Sequence, residues 1–342
     1  MDSITQAVLG ATVAGAVAGK KCSPKVLAAG ALLGTVPDLD VLISYGDPVS
    51  DVVKHRGFSH SIFVLLPFSL LLAYAWQLWQ KTDWPFLQLW ALVALALITH
   101  PLLDSLTAYG TQLFWPLPVE NVAVSSLFII DPLYTLPMLV LVLCSLMWRD
   151  KASKLCRIGL LVSSGYIIWS VGALHSIESR IEQQLVGTKL EGSPIFITPT
   201  PVNTILWRVV VLDGEQYWEG LTSLLDKDTN IDLLAMPRGS WLGKKDMESY
   251  QQLQHFTQGF MRYDVENNKL KVTDLRLGMA GYHPFAFYLA EQNESEQWQA
   301  IMPERVDSKT VEIKHVPAWW LRVLGNQDIN AELCHVNECP KS

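Results

Sequence analysis

Hydrophobic and polar positions divide the chain into a greasy first half and an alternating second half. Apolar runs occupy 62–80 (IFVLLPFSLLLAYAWQLWQ), 86–103 (FLQLWALVALALITHPLL), 127–148 (LFIIDPLYTLPMLVLVLCSLMW) and 158–175 (IGLLVSSGYIIWSVGALH). Each approaches the roughly 20 residues with which a helix crosses a bilayer. One such run alone fits a buried helix of a soluble protein; four in succession predict transmembrane helices. Residues 4–19 and 26–36 are shorter, rich in Ala and Gly, and broken at KKCSPK. They predict a closely packed helical hairpin, re-entrant or shielded by protein, rather than two independent spans. Past residue 178 the periodicity changes. TILWRVVVLD (204–213), QYWEGLTSLL (216–225), KLKVTDLRLG (269–278) and TVEIKHV (310–316) read as strands. DVENNKLKV reads as a hairpin, 246–262 as a helix, and 192–203 (GSPIFITPTPVN) as a connection. The predicted fold is a membrane α-helical domain over 1–177, built of a hairpin plus about four transmembrane helices. A mostly β (α+β) extramembrane domain follows over 178–342.

Composition agrees with this division. Half of the residues are apolar, 17% are charged, and mean hydropathy is +0.21. Residues 1–177 hold 10 of the 26 Lys and Arg and 10 of the 33 Asp and Glu, so the net charge of −7 lies in the second half. With pI near 5.6 and no basic patch, nucleic acid is excluded as a partner. The five cysteines show no zinc-ribbon spacing; Cys334 and Cys339 can close a small disulfide loop or stand as two free thiols. The apolar stretch 4–19 follows Asp2 and precedes Lys20 and Lys21, the reverse of signal-peptide charge order. It predicts a retained helix whose N-terminus faces away from the cytoplasm.

The basic loop 149–157 (RDKASKLCR) sets the orientation: it lies inside, as does KKCSPK. Residues 37–61, 104–126 and 178–342 then lie outside, in the periplasm of a bacterial cell, although Lys54 and Arg56 run against the rule. This topology brings three polar islands to one face: PDLD at 37–40, HRGFSHS at 55–61 and THPLLDS at 99–105. Acids and imidazoles beside apolar helices are costly unless paired or coordinated. His100 and Asp104, at i and i+4, share one helix face and can bind one metal ion. With Asp2, Asp38, His55 and His60 they form the candidate ligand set. Neutral imidazole with carboxylate suits zinc, with manganese or iron as alternatives. So many donors also suit a two-metal site of the kind that clamps a phosphoester. Arg56 is a candidate anion clamp, and Asp40 or Asp131 a candidate general base. Plainer readings stand beside these: an HxxxD pair can be a cap or an ion pair, PDLD a helix end, and Arg56 a partner of Asp47 or Asp51. Asp131 can be an N-cap, and His175 with Glu178 an interfacial polar rim.

MDSITQAVLGA, GALLGTVPDLD, HRGFSHS and THPLLDSLTAYGTQLFWP, in this order, resemble the YdjM-type family over roughly residues 1–180. Its members are described as inner-membrane-associated metal-dependent hydrolases, and one as LexA-binding. The resemblance implies roles for Asp2, Asp38, Asp40, His55, His60, His100 and Asp104. It also implies an analogy to the helical zinc phospholipase C and nuclease group, whose His-x3-Asp ligands look like His100 and Asp104. The chain departs from the family at Gln6, where members usually have His; a metal contact is lost there or becomes a substrate contact. The expected function is hydrolysis of a phosphoester, with membrane lipid as partner and a lipid-linked or envelope metabolite as substrate. The alternatives are a non-catalytic envelope protein with a structural metal or ion-pair site and a partner-binding C-terminal domain, and, less favoured, a transporter.

Overall fold

A computed structural model describes residues 1–80, 83–241, 243, 247–279, 281–307 and 313–334 of the chain. The chain forms two compact units. One comprises Met1–Ile43, Lys54–Ser170 and Pro201–Asn203; the other comprises Ser44–Val53, Val171–Thr200 and Thr204–Ser342.

The first unit is helical. α1 (Ser3–Ala18) and α2 (Pro24–Thr35) make the hairpin. Asp2 caps α1 by accepting from the backbone N–H groups of Ile4 and Thr5. Pro24 occupies the first turn of α2, where its missing N–H has no intrahelical partner to lose. The two helices touch backbone to backbone. A Cβ at Gly10 would fall on the carbonyl oxygen of Gly30, and one at Gly34 on that of Gln6. Glycine is therefore required at this crossing for space rather than for backbone conformation.

α3 (Pro48–Lys54) is short, and its residues up to Val53 belong to the second unit. α4 (Ile62–Gln80) and α5 (Phe86–Asp104) match the expected spans. Half of α5 is buried within the protein, against about a sixth (17%) of α4, so α5 is the central helix. Its Leu92, Val93 and Leu97 pack with Ala14 of α1 and Leu65 of α4. α6 is shorter than expected, Pro132–Met147, because Asp131 caps it and Pro132 begins it. Residues 127–131 are non-helical. α7 (Ala152–Leu185) is longer than expected, running on past residue 175 without a break. Among the described residues, three helical stretches are long and apolar enough to cross a membrane: Ile62–Trp79, Phe86–Asp104 and Arg149–Leu185. Pro132–Met147 is a shorter apolar helix.

Among its described residues, the second unit holds two four-stranded antiparallel meanders. The first is β1 (Ile195–Pro199), β2 (Leu206–Asp213), β3 (Gln216–Ser223) and β4 (Leu233–Pro237). α8 (Glu248–Phe256) precedes the second: β5 (Met261–Glu266), β6 (Lys269–Asp274), β7 (Ala286–Gln292) and β8 (Trp298–Arg305). α9 (Val316–Val323) follows. β2 buries both faces. Trp207, Val209 and Val211 pack with Ile177, Ile181 and Leu185 of α7, and Leu206 packs with Val323 of α9. The expected β5–β6 hairpin turns at Asn267 and Asn268, both with positive φ, which asparagine tolerates.

Three sequence expectations change here. The stretch 192–203 contains strand β1, whose Ile195 and Phe196 pair with Val211 and Val210; its prolines fall at or beyond the strand's ends. The helix expected over 246–262 spans only Glu248–Phe256, because β5 begins at Met261. In the strand expected over 310–316, residues 313–315 form a 3-10 turn that leads into α9; residues 310–312 lie outside the described residues. The pairing of Cys334 with Cys339 also falls outside them, since Cys339 is not described.

Candidate metal centre

The hairpin crossing positions the site. Past α2, PDLD forms a 3-10 turn over Pro37–Leu42, and Phe58–His60 form another just before α4. His100 and Asp104 stand on the last turn of α5. Asp38, His60, His100 and Asp104 each offer one donor atom, and these atoms lie within 4.8 Å of one another. His60, His100 and Asp104 are completely buried, and Asp38 is 22% exposed.

The hydrogen bonds around the imidazoles choose their tautomers. His100 Nδ1 donates to the Gly34 carbonyl at 2.6 Å. Ser59 Oγ donates to Asp40 Oδ2 at 2.6 Å, so its oxygen accepts from His60 Nδ1 at 2.9 Å. Both Nε2 atoms are thereby left as acceptors, yet they face each other at 3.1 Å. Two lone pairs at that distance repel unless a proton or a metal cation lies between them. The remaining contacts are His100 Nε2 to Asp38 Oδ1 at 3.3 Å, His60 Nε2 to Asp38 Oδ1 and to Asp104 Oδ2 at 3.5 Å, and His100 Nε2 to Asp104 Oδ2 at 3.7 Å. For ligand distances of roughly 2.0–2.2 Å, a tetrahedron has edges of about 3.3–3.6 Å. The residues present therefore fit a single divalent metal ion held by two imidazoles and two carboxylates.

Electrostatics points the same way. Burial alone would push the Asp38 carboxyl up, but its contacts with the His100 and His60 imidazoles outweigh it and hold the group below the usual carboxylate range. Burial would lower His60, yet Asp104 and Asp38 outweigh it and raise its proton affinity. The group attracts positive charge.

A second ring surrounds the four. Asp40 accepts from His55 Nδ1 at 2.9 Å and from the Arg56 backbone N–H at 3.0 Å. His55 lies beside the cluster, its ring centroid 5.9 Å from that of His60. Arg56 is 3% exposed. Its Nε stands 3.0 Å from Asp104 Oδ2, its Nη1 donates to Thr107 Oγ1, and its guanidinium lies over Tyr109. It adopts φ +62°, a conformation that costs a non-glycine residue about 1 kcal/mol or more and that these contacts hold in place. The guanidinium is thus engaged by Asp104 rather than presented as an anion clamp. Gln6 Nε2 donates to Asp104 Oδ1 at 2.8 Å and to the His100 carbonyl at 3.3 Å, and so orients a ligand. The amino nitrogen of Met1 also contacts Asp104 Oδ1.

Asp2 and Asp131 serve elsewhere. Asp131 caps α6 and accepts from the Tyr166 hydroxyl at 2.8 Å. Asp2 bonds Thr5 Oγ1, which in turn meets Thr135 Oγ1. His175 and Glu178 form an exposed pair at 3.0 Å. Gly34 and Thr107 were not expected from sequence as partners of site residues, whereas Ser59 was a candidate for orienting a ligand. Only Ser59, inside HRGFSHS, carried a local signal.

The model of the YdjM inner membrane protein family matches residues 1–177. The chain belongs to that family. It is similar to the inner membrane protein YbcI of Escherichia coli (strain K12), 31% identical over 116 residues, which cover 34% of this chain and 66% of YbcI. It is also similar to the uncharacterized protein YfhP of Bacillus subtilis (strain 168), 23% identical over 260 residues, 73% of this chain and 76% of YfhP. No solved structure matches the chain. Family and apolar helices together make this an inner membrane protein, and YdjM family members share the half of the chain that holds the four-residue group.

Proposed function

We propose that this YdjM family member is a metal-dependent hydrolase that cleaves a phosphoester of a lipid or envelope metabolite at the periplasmic face. The observation that carries this reading is the pair of mutually facing imidazole Nε2 atoms, closed by two carboxylates into a buried four-donor group. Bound there, a divalent ion, zinc by preference, would supply Lewis-acid activation of water and of a phosphoryl oxygen. The protein's own contribution is arrangement. Gly34 and Ser59 hold the imidazoles in the ligating tautomer, as outer partners of metal-binding histidines do. Arg56 and Gln6 fix Asp104. Asp38, the one partly exposed member, marks the open side. His55, 26% exposed and held by Asp40, is the group suited to exchange protons with a substrate.

In this reading purified protein carries close to one equivalent of zinc, measured by elemental analysis, and His100→Ala strips it. A metal-free wild type removes the basis of the proposal. His55→Ala keeps the metal and abolishes phosphodiesterase activity on a chromogenic ester. A cysteine introduced near residue 230 reacts with an impermeant thiol reagent from the periplasm, and one at 152 does not; the opposite pattern inverts the topology.

The Arg56–Asp104 ion pair and the full burial of three of the four donors favour a second reading, a structural metal or ion-pair site in a non-catalytic protein. Wild-type protein that carries the metal yet shows no phosphodiesterase activity above that of metal-retaining His55→Ala supports that reading over the first.

A further inference from the structure

Outside the metal centre, α9 carries an unusual surface. The segment 313–325 (IKHVPAWWLRVLG) contains Lys314, His315 and Arg322 and no acid, within a chain of net charge −7. One side of α9 is anchored: Val323 is buried with Leu206 and Leu221, Arg322 pairs with Asp226, and Trp319 Nε1 donates to Thr200 Oγ1. The opposite side is apolar and exposed. Val316, Trp320 and Leu324, spaced four residues apart, form one stripe, and Leu321 lies beside it. Ile313 extends the stripe before the helix, and the exposed Leu225 lies against Gly325 at its end. Exposure along this patch runs from 43% to 86%. An isolated exposed leucine means little, whereas a contiguous apolar patch this size marks a contact surface.

We infer that this face of α9 lies in the membrane–water interface, as a lipid-contacting foot of the second unit. Three observations select lipid as the occupant. First, α7 runs unbroken from an apolar stretch long enough to cross a membrane into the core of the second unit, which tethers the patch near a bilayer at high effective concentration. Second, the stripe combines tryptophan with leucine and valine, the residues of helices that lie flat in an interface. Third, Arg322 is taken up by Asp226, but Lys314 and His315 stand at the start of the stripe and no acid lies over 313–325, so the segment meets an anionic lipid surface without local repulsion. The inference is independent of any catalytic role for the metal centre.

The test places a photoreactive diazirine side chain at position 320, and separately at 324, in the full-length protein in intact cell membranes. Position 296, exposed in a polar turn, is the control. Both test positions should yield phospholipid adducts by mass spectrometry that are lost at 296. Adducts to another protein or to a second copy at both positions overturn the inference in favour of a protein interface. Lipid labelling no greater than at position 296 also overturns it.

Discussion

Replacing Gly34 with alanine is expected to weaken metal binding although Gly34 offers no ligand. Its carbonyl holds His100 Nδ1 at 2.6 Å, and its Cα lies at the crossing of α1 and α2. A Cβ there would fall on the Gln6 carbonyl oxygen and stand 3.1 Å from the Gly10 Cα. Both obstacles are backbone, so no side-chain rotation relieves them, and α2 must shift by on the order of 1 Å at a cost of about 1–3 kcal/mol. A shift of that size takes the His100 bond to or beyond the roughly 3.2 Å limit of a good hydrogen bond. Losing the outer partner of a metal-bound histidine weakens metal affinity about 10–100-fold, equivalent to roughly 1.4–2.7 kcal/mol. The assay is zinc competition against a chromophoric chelator on purified full-length protein, with thermal unfolding alongside. Gly15→Ala is the control: its Cβ overpacks against Cys156 Sγ and Leu27 Cδ2 and leaves the Gly34 crossing alone. The reasoning is refuted if Gly34→Ala destabilises the protein at unchanged zinc affinity, or if Gly15→Ala loses zinc equally.

Two further expectations concern the second unit. Arg208 and Glu219 form a fully buried bidentate pair, with Nε–Oε1 at 2.7 Å and Nη2–Oε2 at 3.0 Å. Glu219→Ala leaves the guanidinium buried without its partner, and thermal or denaturant unfolding should show a loss of about 3–5 kcal/mol; a loss below 1 kcal/mol refutes the ion-pair reading. His283 is pushed down to about 4, first by burial and then by the Arg208 charge. Its folded value lies below its unfolded one, so the unfolded chain binds more protons in between. The stability that depends on neutral His283 is complete above about pH 6.5 and falls away toward pH 4, by up to about 3 kcal/mol. His283→Gln should flatten that part of the pH–stability profile, and an unchanged profile rules out the histidine as its source.

Much of the site was legible because cost is visible in sequence. Histidine and aspartate next to apolar helices need partners, and the i, i+4 spacing of His100 and Asp104 shows that they share a face. The tautomers were not legible. They depend on Gly34 and Ser59, and a backbone carbonyl 66 residues from His100 in sequence leaves no local mark. Asp2 looked like a ligand and Asp131 like a general base for the same reason that the others stood out. Their oxygens instead satisfy the N–H groups at helix starts, a role whose local signal is the same acid. Arg56 looked like an anion clamp because its partner, Asp104, is 48 residues away in sequence and becomes a neighbour only when α5 packs beside the turn that precedes α4.

Hydrophobic periodicity alone thus established the helical membrane half, the β-rich half and the change between them, because burying apolar surface imposes a period on each element wherever its partner lies. Tertiary packing decided the rest. Backbone contact at Gly10, Gly30 and Gly34 places α2 against α1 and α5 and so brings the Gly34 carbonyl to His100. That contact, together with the two 3-10 turns, sorts nine polar candidates into four converging donors, the neighbouring Asp40, His55 and Arg56, and two helix caps, Asp2 and Asp131. Periodicity records which side of an element is buried; only the folded chain determines which buried atoms face each other.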